Sequence, residues 1–151
     1  MTNEQLIEQL SKAYPAAATK QGGQYPEITM PREMLHSFMQ NLKSEPNLAF
    51  DYLVCESGVD YPEYLQVVYH LESTTHRHFL VVKSNTENRE TAVLDTVCDI
   101  WPTAEFHERE IYDLLGITFN HHHDMRRFFL DNTWGHPLRK DFKDDIHVVE
   151  R

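Results

Sequence analysis

Residues 48–55 (LAFDYLVC), 64–71 (YLQVVYHL) and 78–83 (HFLVVK) decide the fold. Each run is rich in β-branched and aromatic side chains, which suit a pleated, half-buried surface and lose rotamer freedom in a helix. In the second run Leu65, Val67, Tyr69 and Leu71 alternate with Tyr64, Gln66, Val68 and His70, so one face can be buried. Gly58, Pro62 and the Ser73-Thr74-Thr75 cluster separate the runs, and the spacing predicts consecutive strands in a meander.

Toward the N-terminus the period becomes helical. Thr2-Asn3-Glu4-Gln5 has capping-box spacing, and Leu6, Ile7, Leu10, Ala13 and Tyr14 share one face until Pro15. A loop with Gly22 and Gly23 leads to a strand around Tyr25 to Met30. Pro31 then opens a second helix carrying Leu35, Phe38, Met39 and Leu42. Toward the C-terminus Leu94, Val97, Cys98 and Trp101 have helical spacing until Pro102, and Thr103 can cap a further helix from Ala104 to Leu115 that Gly116 ends. The order predicts a two-layer α+β domain: N-terminal helices, an antiparallel or mixed sheet of about four strands, then C-terminal helices and an extended tail. Rossmann and P-loop glycine patterns, repeats and flexible linkers are lacking. A single domain over residues 1–151 is expected, with a globular core at 1–120 and a partner-docking tail at 121–151.

A chain of 151 residues can close a core without disulfides or a structural metal. Its net charge of −10 argues against nucleic acid or an anionic membrane surface as a partner. The longest apolar runs, such as Phe79 to Val82, fall far short of the roughly 20 residues of a spanning helix, and the N-terminus lacks a basic flank with an apolar signal core. A soluble, unexported chain without direct membrane insertion is expected. Cys55 and Cys98 form no Cys-x-x-Cys pair and are too few for a cluster or structural zinc, which fits a reduced, cytoplasmic setting.

Between His121 and Arg151 the periodicity fades, yet Met125, Phe128, Phe129, Leu130, Trp134, Leu138 and Phe142 remain. So many large apolar groups are costly to leave in water, so the tail should lie on this chain's own layers or on a partner. On the helix before it, Ala104, His107, Ile111, Leu114 and Leu115 form an apolar arc. Glu105, Arg109, Tyr112 and Asp113 lie opposite, and Glu105, Arg109 and Asp113 make a ladder worth about a few tenths of a kcal/mol per pair. Glu108 and Glu110 flank the arc and need cationic or amide partners. Arg126, Arg127, Arg139 and Lys140 are the natural donors, fastening the tail to this helix or to a neighbour's carboxylates.

Glu108-Arg109-Glu110, Tyr112-Asp113, Gly116-Ile117, Phe119, His122, Asp124, Arg126-Arg127 and Gly135-His136-Pro137-Leu138-Arg139-Lys140-Asp141 together resemble one family signature. It is that of the thirty-kilodalton subunit of respiratory complex I, known as the C subunit in the bacterial proton-pumping NADH-quinone oxidoreductase. Departures are His123 where the family usually has proline, Phe128 where an aliphatic residue is common, and Trp134 directly before Gly135. The resemblance implies a non-catalytic scaffold of the peripheral arm, on the cytoplasmic side of the inner membrane. FMN, iron–sulfur clusters and the quinone site would belong to partner subunits. The partners implied are a quinone-site subunit resembling a nickel–iron hydrogenase large chain, and cluster-bearing neighbours; their complex couples NADH oxidation to quinone reduction and proton translocation. The interface residues implied are Glu108, Arg109, Glu110, Tyr112, Asp113, Gly116, His122, Arg126, Arg127, Pro137, Leu138, Arg139, Lys140 and Asp141. Equivalent subunits serve membrane-bound hydrogenases and ferredoxin- or F420-linked complexes.

Three other readings compete. His121-His122-His123, with His107 and His136, suggests a metal-binding module, although consecutive side chains diverge and Ile111 stands where a His-Glu-x-x-His helix needs its second ligand. Glu108 and Glu110 suggest a hydrolase, but residues two apart on a helix point about 160° from one another. A binding module unrelated to respiration would share the fold without the motif.

Overall fold

Thr2 starts the first helix, α1 (Asn3–Ala13), through a reciprocal cap: its hydroxyl accepts the Gln5 N–H at 3.3 Å while the Gln5 side chain accepts the Thr2 N–H at 2.9 Å. The computed structural model in which this is seen describes residues 1–144. After Pro15 the chain forms a hairpin of β1 (Ala18–Gln21) and β2 (Pro26–Thr29). Pro31 precedes a short 3-10 turn (Arg32–Met34) that runs into α2 (Leu35–Ser44).

The meander follows as β3 (Tyr52–Asp60), β4 (Leu65–Ser73) and β5 (His78–Asn85), paired antiparallel. β5 also runs parallel to β2, aligning Ile28 with Val82, so the five-stranded sheet is mixed with order β1-β2-β5-β4-β3. β3 is therefore an edge strand. Leu65, Val67, Tyr69 and Leu71 of β4, with Leu80 and Val82 of β5, point to one face and pack with Leu6, Leu10, Phe38, Met39, Leu42 and Trp101. Each such fully buried large apolar side chain contributes about 1.5–3 kcal/mol relative to exposure. On the other face Glu27 pairs with Lys83 at 2.7 Å and Lys20 at 3.1 Å, and Tyr25 stacks on Phe79.

Beyond the sheet come β6 (Val93–Asp95), α3 (Ala104–Leu115) and β7 (Thr118–Asn120), with β6 and β7 forming a parallel two-stranded sheet. Here the structure corrects three expectations. The helical spacing of Leu94 to Trp101 is instead strand β6 followed by a turn in which Ile100 and Trp101 donate to the Val97 carbonyl. Pairing with a strand 25 residues downstream overrides the local period. Thr103 makes no side-chain cap, because its φ of −62° and ψ of −23° are already helical; the Trp101 and Pro102 carbonyls receive the first N–H groups instead. Among the described residues α3 is the one helix after the sheet, where helices in the plural were expected.

α3 lies directly on β3. A Cβ at Gly58 would meet Leu115 Cδ1 at 2.3 Å and Ile111 Cγ2 at 3.3 Å, so glycine is what lets helix and strand approach. Gly116 ends α3 with φ 77°, a left-handed turn that favours glycine.

Candidate functional site

The last described segment, residues 121–144, has no regular structure and folds over α3. It is organised by one carboxylate. Asp113 is fully buried; its Oδ2 accepts the N–H groups of Phe128 (3.3 Å), Phe129 (2.7 Å) and Leu130 (3.0 Å), and its Oδ1 accepts from Arg127 Nη1 at 3.1 Å. Burial alone raises a carboxyl pKa, yet the donors of Phe129, Leu130, Arg127 and Phe128 outweigh it and hold Asp113 below its ordinary value. Arg127 also donates to the Trp134 and Gly135 carbonyls, closing the loop 127–135 on itself.

Arg109 makes the second fastening. Its guanidinium donates to the carbonyls of Arg126 (3.3 Å) and Arg127 (3.0 Å) and lies 5.0 Å from the Phe128 ring centroid. The open end of α3 makes the third, because its last carbonyls lack helical partners. Leu138 N–H donates to the Leu114 carbonyl at 3.0 Å, Arg139 Nε to the Leu115 carbonyl at 2.6 Å, and His136 Nδ1 to the Asp113 carbonyl at 3.2 Å. Farther on, the Lys140 N–H meets buried Asp60 at 2.8 Å, and Arg89 joins Asp60 to Asp141.

The faces of α3 differ from those expected. Arg109 and Asp113, expected in a solvent-facing ladder with Glu105, are 8% and 0% exposed because the tail covers them. Glu108, expected at the border of the apolar arc, is also fully buried. It faces the turn after β6, where its Oε1 accepts the Val97 N–H at 2.8 Å and its Oε2 the Thr96 hydroxyl. Burial, partly offset by those two bonds, pushes its pKa up to about 7. Arg109, Arg127 and Arg139 therefore meet Asp113 and backbone carbonyls, not Glu108 and Glu110. Glu110 is half-buried without a hydrogen bond or ion pair among the described residues, and Arg126 is 71% exposed and pairs with Asp124. Tyr112 and Pro137 are half-buried, Lys140 and Asp141 exposed. Asp60 and Thr96 were not singled out from sequence, and nothing in their local spacing marks them.

The three histidines do not converge. His122 turns inward, its Nδ1 accepting the Asp124 N–H at 3.0 Å and its Nε2 donating to the Glu105 carbonyl at 3.1 Å. His121 and His123 are exposed, and His123 pairs with Glu105 at 3.1 Å. Cys98, Glu108 and His122 bring donor atoms within 4.8 Å of one another, but both His122 nitrogens and both Glu108 oxygens already have partners. Glu108 and Glu110 share no cleft: one is sealed in the core and the other lines a surface cavity, so they cannot flank a common bond.

What the braced segment leaves outside is apolar. Phe106 is 52%, Phe129 61% and Leu138 60% exposed, and the Phe128 ring lies tilted against both Phe106 (centroids 5.8 Å) and Phe129 (4.4 Å). The three aromatic rings therefore form one contiguous exposed patch.

The family described as Respiratory-chain NADH dehydrogenase, 30 Kd subunit, matches residues 28–147. The chain is 47% identical over 124 residues to the C/D subunit of the NADH-quinone oxidoreductase of Phocaeicola vulgatus, covering 81% of this chain and 24% of that one. It thus spans about a quarter of that relative's length. It is 34% identical over 143 residues to the C subunit of the NADH-quinone oxidoreductase of Moorella thermoacetica, covering 93% of this chain and 95% of that one. Among solved structures, the trypsin-resistant fragment (1–134) of Nqo5 superimposes with a TM-score of 0.70 at 28% identity, covering 82% of this chain and 99% of the fragment. A chain of the membrane-bound sulfane sulfur reductase, an archaeal respiratory membrane complex, does so at 0.79 and 26% identity, covering 93% of this chain and 85% of that one.

Proposed function

The chain belongs to the thirty-kilodalton subunit family of respiratory-chain NADH dehydrogenase, and from that membership we propose that it is the C subunit of a proton-pumping NADH-quinone oxidoreductase, a non-catalytic scaffold of the peripheral arm. The observation that carries the reading is the division of labour across α3. Its inner side and the tail brace one another through Asp113, Arg109, Arg127 and Arg139, while Phe106, Phe128, Phe129 and Leu138 are left exposed. In this reading the signature residues split into two sets. Glu108, Arg109, Asp113, Gly116, His122, Arg127 and Arg139 hold the shape; Glu110, Tyr112, Arg126, Pro137, Leu138, Lys140 and Asp141 meet neighbours.

The principal neighbour is the quinone-site subunit, which resembles a nickel–iron hydrogenase large chain, with cluster-bearing subunits beside it. The C/D relatives, of which this chain matches about a quarter, support a close pairing because there one polypeptide carries both letters and extends far beyond the matched part. This chain holds no flavin, cluster or quinone ligand in this reading, and FMN and the iron–sulfur clusters lie in its partners. Its two cysteines, on β3 and in the turn after β6, are too few to ligate a cluster. No helix among the described residues is long and apolar enough to cross a membrane, which accords with a peripheral location, here assigned to the cytoplasmic side.

The test is affinity purification of the tagged chain from detergent-solubilised native membranes. Co-recovery of the quinone-site subunit with cluster-bearing neighbours is expected; recovery of the chain alone would overturn the reading. A second reading, the equivalent subunit of another respiratory membrane complex linked to ferredoxin, F420 or hydrogen, is favoured by the TM-score of 0.79 with the sulfane sulfur reductase chain. The identity of the co-purified electron-input subunits decides between them.

A further inference from the structure

One buried acid has no hydrogen-bond partner among the described residues. Glu56, on the core face of edge strand β3, is 3% exposed, and neither carboxyl oxygen has a hydrogen-bond partner. The hydroxyl of Tyr69, its cross-strand neighbour on β4, is likewise buried and unpartnered. Charged or titratable neighbours come from every side: Glu108 from α3, Cys98 from the turn after β6, and Cys55 from β3 itself. None is a cation. Burial first, then those neighbours, raise the pKa of the Glu56 carboxyl well above its ordinary value, which favours the protonated form.

Glu56 lines a cavity of about 150 Å³ between β3 and α3. That is several times the roughly 30 Å³ share of one water, so a single ordered water does not fill it. The walls are Ile111, Leu114, Leu115 and Leu138 with Ser57 and Gly58 of β3, and Glu110 is the second carboxylate in the lining. The lining includes 60% exposed Leu138, half-buried Glu110 and Glu56, whose carboxyl oxygens are themselves sealed; with no hydrogen bond to lose among the described residues, that carboxyl can turn to meet a group that enters. Among the described residues neither carboxylate belongs to a group of three metal-ligating side chains whose donor atoms converge, so the lining does not suit a metal ion. It does suit a long side chain that lays an alkyl stem along leucine and carries a cationic head to an acid.

We propose that this cavity is a socket for a lysine or arginine side chain of the quinone-site subunit, which enters beside Leu138 and Glu110 and pairs with Glu56. The inference rests on the scaffold reading above and deepens it. The socket adjoins the tail that the reading already assigns to the interface, and its negative lining selects a basic occupant. Because the carboxyl is neutral when the socket is empty and ionised when a cation fills it, association expels one proton to solvent. The proton leaves Glu56 and no other bond changes.

The test is calorimetric titration of this chain with the isolated quinone-site subunit at pH 7, in two buffers of different ionisation heat. The wild type is expected to release up to one proton per complex. Glu56→Gln, which matches the shape of the protonated acid, should bind about thirtyfold or more weakly, lose the proton release, and melt no lower than the wild type. Glu108→Gln should keep the release, which assigns the proton to Glu56. Equal affinity and equal proton count in Glu56→Gln would mean that water inside the chain satisfies the carboxyl, and would overturn the socket while leaving the scaffold reading intact. No binding by the wild type removes that reading and the socket together. The wild-type proton count needs no variant, so misfolding of a substituted chain cannot hide the answer.

Discussion

Arg127 Nη1 lies 3.1 Å from Asp113 Oδ1, and this contact joins the one carboxylate that caps three successive tail amides to the one guanidinium that closes the loop behind them. Asp113→Asn keeps the volume, but in either orientation its NH2 faces a donor, the tail N–H groups or the Arg127 guanidinium. It should cost about 3–5 kcal/mol, as expected when one partner of a buried pair is removed. Hydrogen exchange at Phe128 to Leu130 should accelerate far more than exchange at β4 and β5; uniform acceleration would show that the tail and the sheet unfold as one unit.

Stability should fall as pH rises through the acid range. Glu108 has its pKa raised from 4.5 to about 7, so the folded chain binds this proton more tightly than the unfolded chain. Its contribution is fully present below about pH 4.5 and is lost progressively toward pH 7, an effect on the order of 3 kcal/mol. Glu56 acts in the same direction. Asp113, held low, acts oppositely and withdraws stability only as pH drops below its ordinary carboxylate range. Denaturant melts across pH should therefore show a decline between about pH 5 and pH 7 that Glu108→Gln flattens. An unchanged slope in that variant would refute the assignment.

Gly58→Ala should destabilise by about 1–3 kcal/mol, the usual range for overpacking, because the new methyl meets Leu115 Cδ1. Leu115→Ala made in the same chain should recover part of that loss. Simple additivity of the two substitutions in a double-mutant cycle would show that Leu115 is not the obstacle.

Outer and inner arginines should separate assembly from folding. Arg126→Ala and Phe129→Ser change exposed side chains and should shift the stability of the isolated chain by no more than about 0.5 kcal/mol, while lowering recovery of the quinone-site subunit in pull-downs. Arg127→Ala should lower both stability and recovery. Wild-type recovery by Phe129→Ser would remove the aromatic surface from the interface.

The meander and the three helices were legible because each satisfies its own period: Leu65, Val67, Tyr69 and Leu71 for a strand, Leu35, Phe38, Met39 and Leu42 for a helix. β1 was not legible, because Ala18 to Gln21 is a mostly exposed edge strand without alternating apolar residues. β6 and β7 escaped because each is three residues long and is specified only by the other. The signature residues around α3 stood out through their resemblance to a family. The roles of Asp113 and Arg109 did not, because both bond to backbone, and an amide or carbonyl carries no side-chain identity for a sequence to reveal. Glu56 was invisible for a simpler reason: a single acid in a strand reads as solvent-facing until the opposite layer is in place.

The parallel seam between β2 and β5 joins residues more than 50 positions apart, with Met30 N–H also reaching the Lys83 carbonyl at 2.8 Å. During synthesis the β1–β2 hairpin therefore has no sheet to join until β5 has left the ribosome, and the central strand of the finished sheet is the last of the five to be made. Non-local closure of this kind slows folding and leaves hydrophobic strands transiently open to wrong partners. The chain's own N-terminal third must thus wait for its middle before it can be placed.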